Sequence, residues 1–144
     1  MGFHGAKVDS ANRMKFPAKF NDYIQSLPDK SLYITNIEGE ARIYTNGSWH
    51  RNLARLNDDP DLKRRMSEHY DAKGGDMDMD PQGRVTFPKN LRESMPLEDQ
   101  QVMLRFQDDM IFLYTMEQYE TVCAKNREQH ALDLQLAKAK GFLV

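Results

Sequence analysis

The chain has 144 residues, 40% hydrophobic and 29% charged, which fits one globular domain and excludes a disordered tail or a small disulfide-stapled fold. A lone cysteine, Cys123, excludes an internal disulfide and predicts a reducing compartment; with no signal-peptide core and no membrane-spanning apolar run, the expected location is cytoplasmic, with no membrane partner. The formal charge of −2 and a pI near 6.1 exclude a uniformly basic nucleic-acid binder but not a local basic field.

The first 20 residues are such a field: Lys7, Arg13, Lys15 and Lys19 stand against one acid, Asp9. Asp9 to Asn12 reads as a turn, the carboxylate accepting nearby backbone amides and Asn12 tolerating the left-handed conformation. "RMKF" then alternates, with Met14 and Phe16 on one face and Arg13 and Lys15 on the other. Pro17 ends that strand and pre-sets a short helix, "AKFNDYI". A hairpin follows in "LYITNIEGEARIYT", turning at Glu38-Gly39, and a helix is predicted from near Trp49. "NDDPDLKRRMSEHYDAKGGD" predicts a second helix, starting at Asp59 or Asp61 beside Pro60, with Leu62, Met66 and Tyr70 four apart. Gly74-Gly75 break it.

The next stretch, "DMDMDPQGRVTFPKN", has the alternating aspartates and glycine of a calcium loop. Counted from Asp78, however, position twelve is Lys89, where a bidentate carboxylate is needed. The stretch is instead a second copy of the first motif. At an offset of 71, Asp9 matches Asp80, Arg13 matches Arg84, Phe16 matches Phe87 and Pro17 matches Pro88. At an offset of 70, Tyr44-Thr45 matches Tyr114-Thr115 and Trp49 matches Tyr119. The chain is a tandem duplication. In the second copy Gly83 takes the position of Asn12, "KNLRES" is the short helix, and "QVMLRFQDDMIFLYT" is the hairpin, turning at Asp108-Asp109. A final helix from near Tyr119 carries Val122 and Cys123 on its apolar side and ends at Gly141. Two units of four short strands can interlock and close a small barrel, which removes exposed edges.

These residues resemble the MraZ family of bacterial transcription regulators, relatives of the AbrB/SpoVT DNA-binding domains. The resemblance rests on the doubled Asp-x-x-Gly-Arg-hydrophobic-x-hydrophobic-Pro motif, the aromatics after each hairpin and "LKRRM" before the second copy, and covers roughly residues 3–123. It implies a mainly β, α+β fold: a pseudo-symmetric, swapped-hairpin double-split β-barrel with a C-terminal helix. It also implies assembly into homo-oligomeric rings, binding to tandem double-stranded DNA repeats upstream of the division and cell-wall gene cluster, and nucleoid association. The expected organisation is a first unit over 3–50 bearing the DNA face, a linker helix and hinge over 51–75, a second unit over 76–120, and a C-terminal helix and tail over 121–144.

The resemblance carries DNA contact onto Asp9 and Arg13. On the residues alone, Arg13 either meets DNA or folds back to brace the turn; its basic neighbours favour DNA, with Lys15, Lys7 and Lys19 on phosphates. Asp9, Asn12, Asp80 and Gly83 are expected to be turn-makers. Arg84, surrounded by Asp76, Asp78 and Asp80, is expected to pair internally. The four histidines share no metal-ligand spacing, and no nucleophile–base pattern is evident. No metal, cofactor, small-molecule substrate or enzymatic activity is therefore expected. Two other readings are a ring-forming scaffold without DNA binding, for which the acidic balance and Asn12 speak, and an antitoxin-like regulator with a protein partner.

Overall fold

Each half of the chain runs strand, turn, strand, helix, hairpin, helix, and the halves are built into one another. The computed structural model describes residues 2–144. The first half contains β1 (Phe3–Lys7), β2 (Arg13–Lys15), α1 (Ala18–Gln25), β3 (Ser31–Ile37), β4 (Glu40–Thr45) and α2 (Asn46–Ala54), and α3 (Pro60–Asp71) links it to the second. The second half contains β5 (Gly75–Asp78), β6 (Arg84–Thr86), α4 (Lys89–Ser94), β7 (Gln101–Gln107), β8 (Met110–Thr115) and α5 (Met116–Ala139). The fold is α+β, with every described strand pair antiparallel.

Six strands form one sheet in the order β1-β7-β8-β4-β3-β5, and β2 pairs with β6 in a two-stranded ribbon. The order shows the exchange between halves. β1 lies on the second half's hairpin, from Phe3 opposite Arg105 to Lys7 opposite Gln101. β5 lies on the first half's hairpin, from Ser31 opposite Asp78 to Ile34 opposite Gly75. The two hairpins meet along β4 and β8. Single bridges, Val8 to Met14 and Met79 to Val85, tie the outer strands of the large sheet to the ribbon.

Both hairpins turn where the sequence places them. Glu38 and Gly39, and likewise Asp108 and Asp109, have positive φ, as a two-residue turn matched to strand twist requires. The helices after the hairpins begin three residues before the aromatics from which the sequence predicts them. Thr45 caps α2 by accepting from the Ser48 amide at 3.1 Å, and Thr115 caps α5 through a reciprocal box with Gln118. Asp59 caps α3, with Pro60 in its first turn.

Alternation along the strands sends Leu32, Ile34, Ile43, Leu104, Ile111 and Leu113 into one core, where they meet Met14 and Val85 from the ribbon and Ile24 and Leu91 from the short helices. The opposite side of the first hairpin carries a second cluster of Tyr33, Tyr44 and Trp49, with the Tyr33 and Trp49 rings stacked at 4.6 Å. α3 closes over this cluster through Tyr70, edge-on to Trp49. The Tyr33 hydroxyl donates to Asp71 at 2.7 Å, and the Thr35 hydroxyl donates to the Tyr70 carbonyl at 2.7 Å. Burial, reinforced by the Asp71 carboxylate, pushes the Tyr33 phenol well above its usual range. After α3 the chain passes β3 so closely at Gly74 that a Cβ there would lie 2.2 Å from the Ile34 carbonyl oxygen. Glycine at this point is a packing requirement.

Candidate nucleic-acid interface

The two motif copies fold into the same turn. The Asp9 carboxylate accepts from the Ala11 and Arg13 amides at 2.9 Å each, and its other oxygen accepts from Arg13 Nε at 3.1 Å. Asp80 accepts from the Gln82 and Arg84 amides at 2.9 Å each and from Arg84 Nε at 2.9 Å. In each copy the arginine amide is the chief cause holding the aspartate below its ordinary pKa. The fourth residue of each turn is left-handed: Asn12 has φ 58° and Gly83 has φ 80°. Asparagine therefore supplies the backbone conformation that glycine supplies in the other copy.

Each turn is also held by the opposite half. The Phe87 amide donates to the Asn12 carbonyl at 2.9 Å, and the Phe16 amide donates to the Gly83 carbonyl at 3.1 Å. The Asn21 side chain of α1 covers Gly83, close enough that a Cβ there would meet its Oδ1 at 3.1 Å. Asn12 lies beside an open depression of about 350 Å³ with mixed charge, lined also by Lys89, Arg92 and Glu93 of α4 and by Glu98 after it.

Between the turns runs the ribbon, with Arg13 opposite Thr86, Met14 opposite Val85 and Lys15 opposite Arg84. Met14 and Val85 are buried, so strand alternation puts Arg13, Lys15, Arg84 and Thr86 on the outer face. Carried one residue past its bridge, the register sets Lys7 level with Lys15 on one flank and Asp78 level with Thr86 on the other. Lys7 is exposed at the end of β1, whereas Lys19 is exposed on the first turn of α1, off the ribbon.

Bracing the turn and reaching outward are compatible for these arginines. Each gives only Nε to its aspartate, and among the described residues no other side chain accepts from the terminal nitrogens of either guanidinium. The side chains are 45% exposed for Arg13 and 38% for Arg84. An anchored Nε with two free terminal amino groups is a fork set in advance for two acceptors, on a phosphate or on a guanine edge. Arg84 pairs with Asp80 as the sequence implies, but Arg13 pairs with Asp9 in the same way, so pairing alone does not distinguish the copies.

The sequence revealed the alternation that turns Arg13 and Lys15 outward. It gave no sign that β2 pairs with β6, which places Arg84 and Thr86 on the same face.

A family model described as "MraZ protein, putative antitoxin-like" matches residues 75–138. A protein from Koribacter versatilis named Transcriptional regulator MraZ is 32% identical over 110 residues, covering 73% of this chain and 75% of the relative. Proteins of the same name from Acidobacterium capsulatum and Lachnoclostridium phytofermentans are 33% and 26% identical. The first match covers 65% of this chain and 66% of the relative, the second 92% and 87%. With the doubled motif folded into two matching turns and the likeness to these relatives extending over most of both chains, this chain belongs to the MraZ family.

Proposed function

We propose that the chain is an MraZ-type transcription regulator, not an enzyme, that binds double-stranded DNA through the outer face of the β2–β6 ribbon. Arg13 and Lys15 make the central contacts and Lys7 and Lys19 hold flanking phosphates. Asp9, Asn12, Asp80, Gly83 and Arg84 keep the two turns in shape. The observation that carries this reading is the Arg13 fork, fixed at Nε by Asp9 and open at its outer end. A two-stranded ribbon is also narrow enough for the major groove, where base edges are distinguishable.

The scaffold behind the ribbon is a swapped-hairpin double-split barrel. The exchange of β1 and β5 between the hairpins supports this, as do the bridges that return the large sheet to the ribbon. The units are residues 3–50 and 76–120, joined by 51–75 and followed by a C-terminal helix and tail over 121–144. Among the described residues no helix is long and apolar enough to cross a membrane. The protein acts in the cytoplasm at the nucleoid, as a homo-oligomeric ring on tandem repeats upstream of the division and cell-wall gene cluster. An acidic chain with one small basic face binds a single site weakly, and several faces on one ring raise the effective concentration at neighbouring sites.

Gel shifts on the gene's own upstream DNA, with repeats intact or reduced to one, test this. Affinity should fall steeply with one repeat; equal affinity for both would contradict the ring-and-repeat reading. Absence of any shift would favour a scaffold that does not bind DNA.

A further inference from the structure

The short helix of each half covers the turn of the other, and it does so in two ways. The offset of 71 that carries Pro17 onto Pro88 also carries Asn21 of α1 onto Arg92 of α4. Asn21 lies against Gly83 and occupies the space over the second turn. Arg92, in the matching place, leaves open the depression of about 350 Å³ beside Asn12, whose other walls are Lys89, Glu93, Pro96 and Glu98. Lys89 and Glu93, one turn apart on α4, face each other at 3.8 Å. That leaves one cation, Arg92, and one anion, Glu98. Among the described residues neither side chain has a hydrogen-bond or ion-pair partner, and Arg92 Nε is buried without an acceptor. An unmatched guanidinium that is half-buried is costly, and the terminal nitrogens in the depression are where compensation can come.

We propose that this depression binds a free α-amino acid, which acts as an effector of DNA binding. The α-carboxylate lies on the Arg92 guanidinium, whose fork offers parallel donors to such a group. The α-ammonium lies on the Glu98 carboxylate, and Asn12 adds an amide that donates to the one pole or accepts from the other. A simple anion would meet Glu93 and Glu98 as well as the cations, and a simple amine would meet Lys89 and Arg92; a zwitterion matches both. At about 350 Å³ the space is at the small end of ligand sites, which run from about 300 to 1,000 Å³, and suits one small molecule. The ligand would join the two halves, because Asn12 belongs to the first turn whereas Arg92 and Glu98 belong to the second half. Asn12 also precedes Arg13, whose amide and Nε are held by Asp9. A bridge from Asn12 to α4 therefore steadies the turn that presents the Arg13 fork, and amino acid and DNA raise the affinity for each other by the same factor. This coupling rests on the ribbon being the DNA surface; binding of the amino acid does not.

Calorimetric titration of the full chain with each of the common α-amino acids tests the inference. At least one should bind, and its analogues with the ammonium removed or the carboxylate converted to an amide should bind about tenfold more weakly or worse. Arg92→Gln and Glu98→Gln should each weaken binding by roughly 10- to 150-fold, the range of a hydrogen bond to a charged group. Glu98 is exposed and makes no contact that the fold needs, so its variant keeps the test valid if Arg92→Gln is unstable. In gel shifts, a saturating level of the bound amino acid should tighten DNA binding of the parent by about fivefold or more and leave Glu98→Gln unchanged. No binding by any amino acid, equal binding of the amine-free acid, or undiminished binding by both folded variants would overturn the site. An amino acid that binds as expected while DNA affinity stays the same would overturn the effector role. Absence of any gel shift, with or without the amino acid, would overturn the DNA reading and the effector role with it, while calorimetry would still decide whether the site exists.

Discussion

Asp9 and Asp80 each satisfy two backbone amides and orient an arginine, so four residues of loop hold a guanidinium in place before any ligand arrives. Because their carboxyl pKa values are depressed in the fold, the stability they contribute is present above the ordinary value of 3.8 and is lost as pH falls below it. The melting temperature should therefore drop as pH falls below that point, and the Asp9→Asn/Asp80→Asn variant should show a shallower drop when melted across the same range. The fourth turn position gives a sharper comparison. Asn12 and Gly83 are both left-handed, so Asn12→Gly should leave stability within about 0.5 kcal/mol of the parent. Asn12→Ala should cost about 1 kcal/mol, and Gly83→Ala at least as much, since its methyl also crowds Asn21. Denaturant midpoints measure all three; a neutral Asn12→Ala would contradict the conformational account.

The elements differ in how far the sequence announces them. Alternation over "RMKF" and "RVTF", the prolines after them and the turn residues of both hairpins place the strands and short helices directly, because each is a local preference. The starts of α2 and α5 are harder to place because Trp49 and Tyr119 are the conspicuous residues, whereas the caps are the quieter Thr45 and Thr115, each just ahead of its helix. The exchange of β1 and β5 between halves, and the β2–β6 pairing that assembles the outer face, are long-range choices that no local pattern encodes. Gly74 belongs with them. It reads as a helix breaker, but its neighbour is a carbonyl on β3, distant in sequence. Gly74→Ala should destabilise by about 1–3 kcal/mol, as forced overpacking does. Chemical denaturation checks this, and a loss below about 0.5 kcal/mol would mean that the hinge is free to move away.

For the whole molecule, interlocking means that neither half has a complete sheet of its own. Residues 2–74 alone would leave β1 without β7, β3 without β5 and β4 without β8. That fragment should either remain unfolded or associate with a second copy, as circular dichroism and light scattering would show. A folded monomer would contradict the interlocked account.

The same architecture gives two structurally similar turns unequal electrostatic surroundings, so Arg13 rather than Arg84 is expected to carry the affinity for DNA. The most direct test is the salt dependence of DNA affinity for the parent and Arg13→Ala, with melting temperatures measured in parallel. Arg13→Ala should remain folded but bind DNA far more weakly, with a slope of log K against log salt shallower by about 0.9 for every phosphate that is no longer neutralised. A variant that loses stability but keeps the parent's affinity and slope at every salt concentration would show that Arg13 only braces its turn, and would contradict the claim.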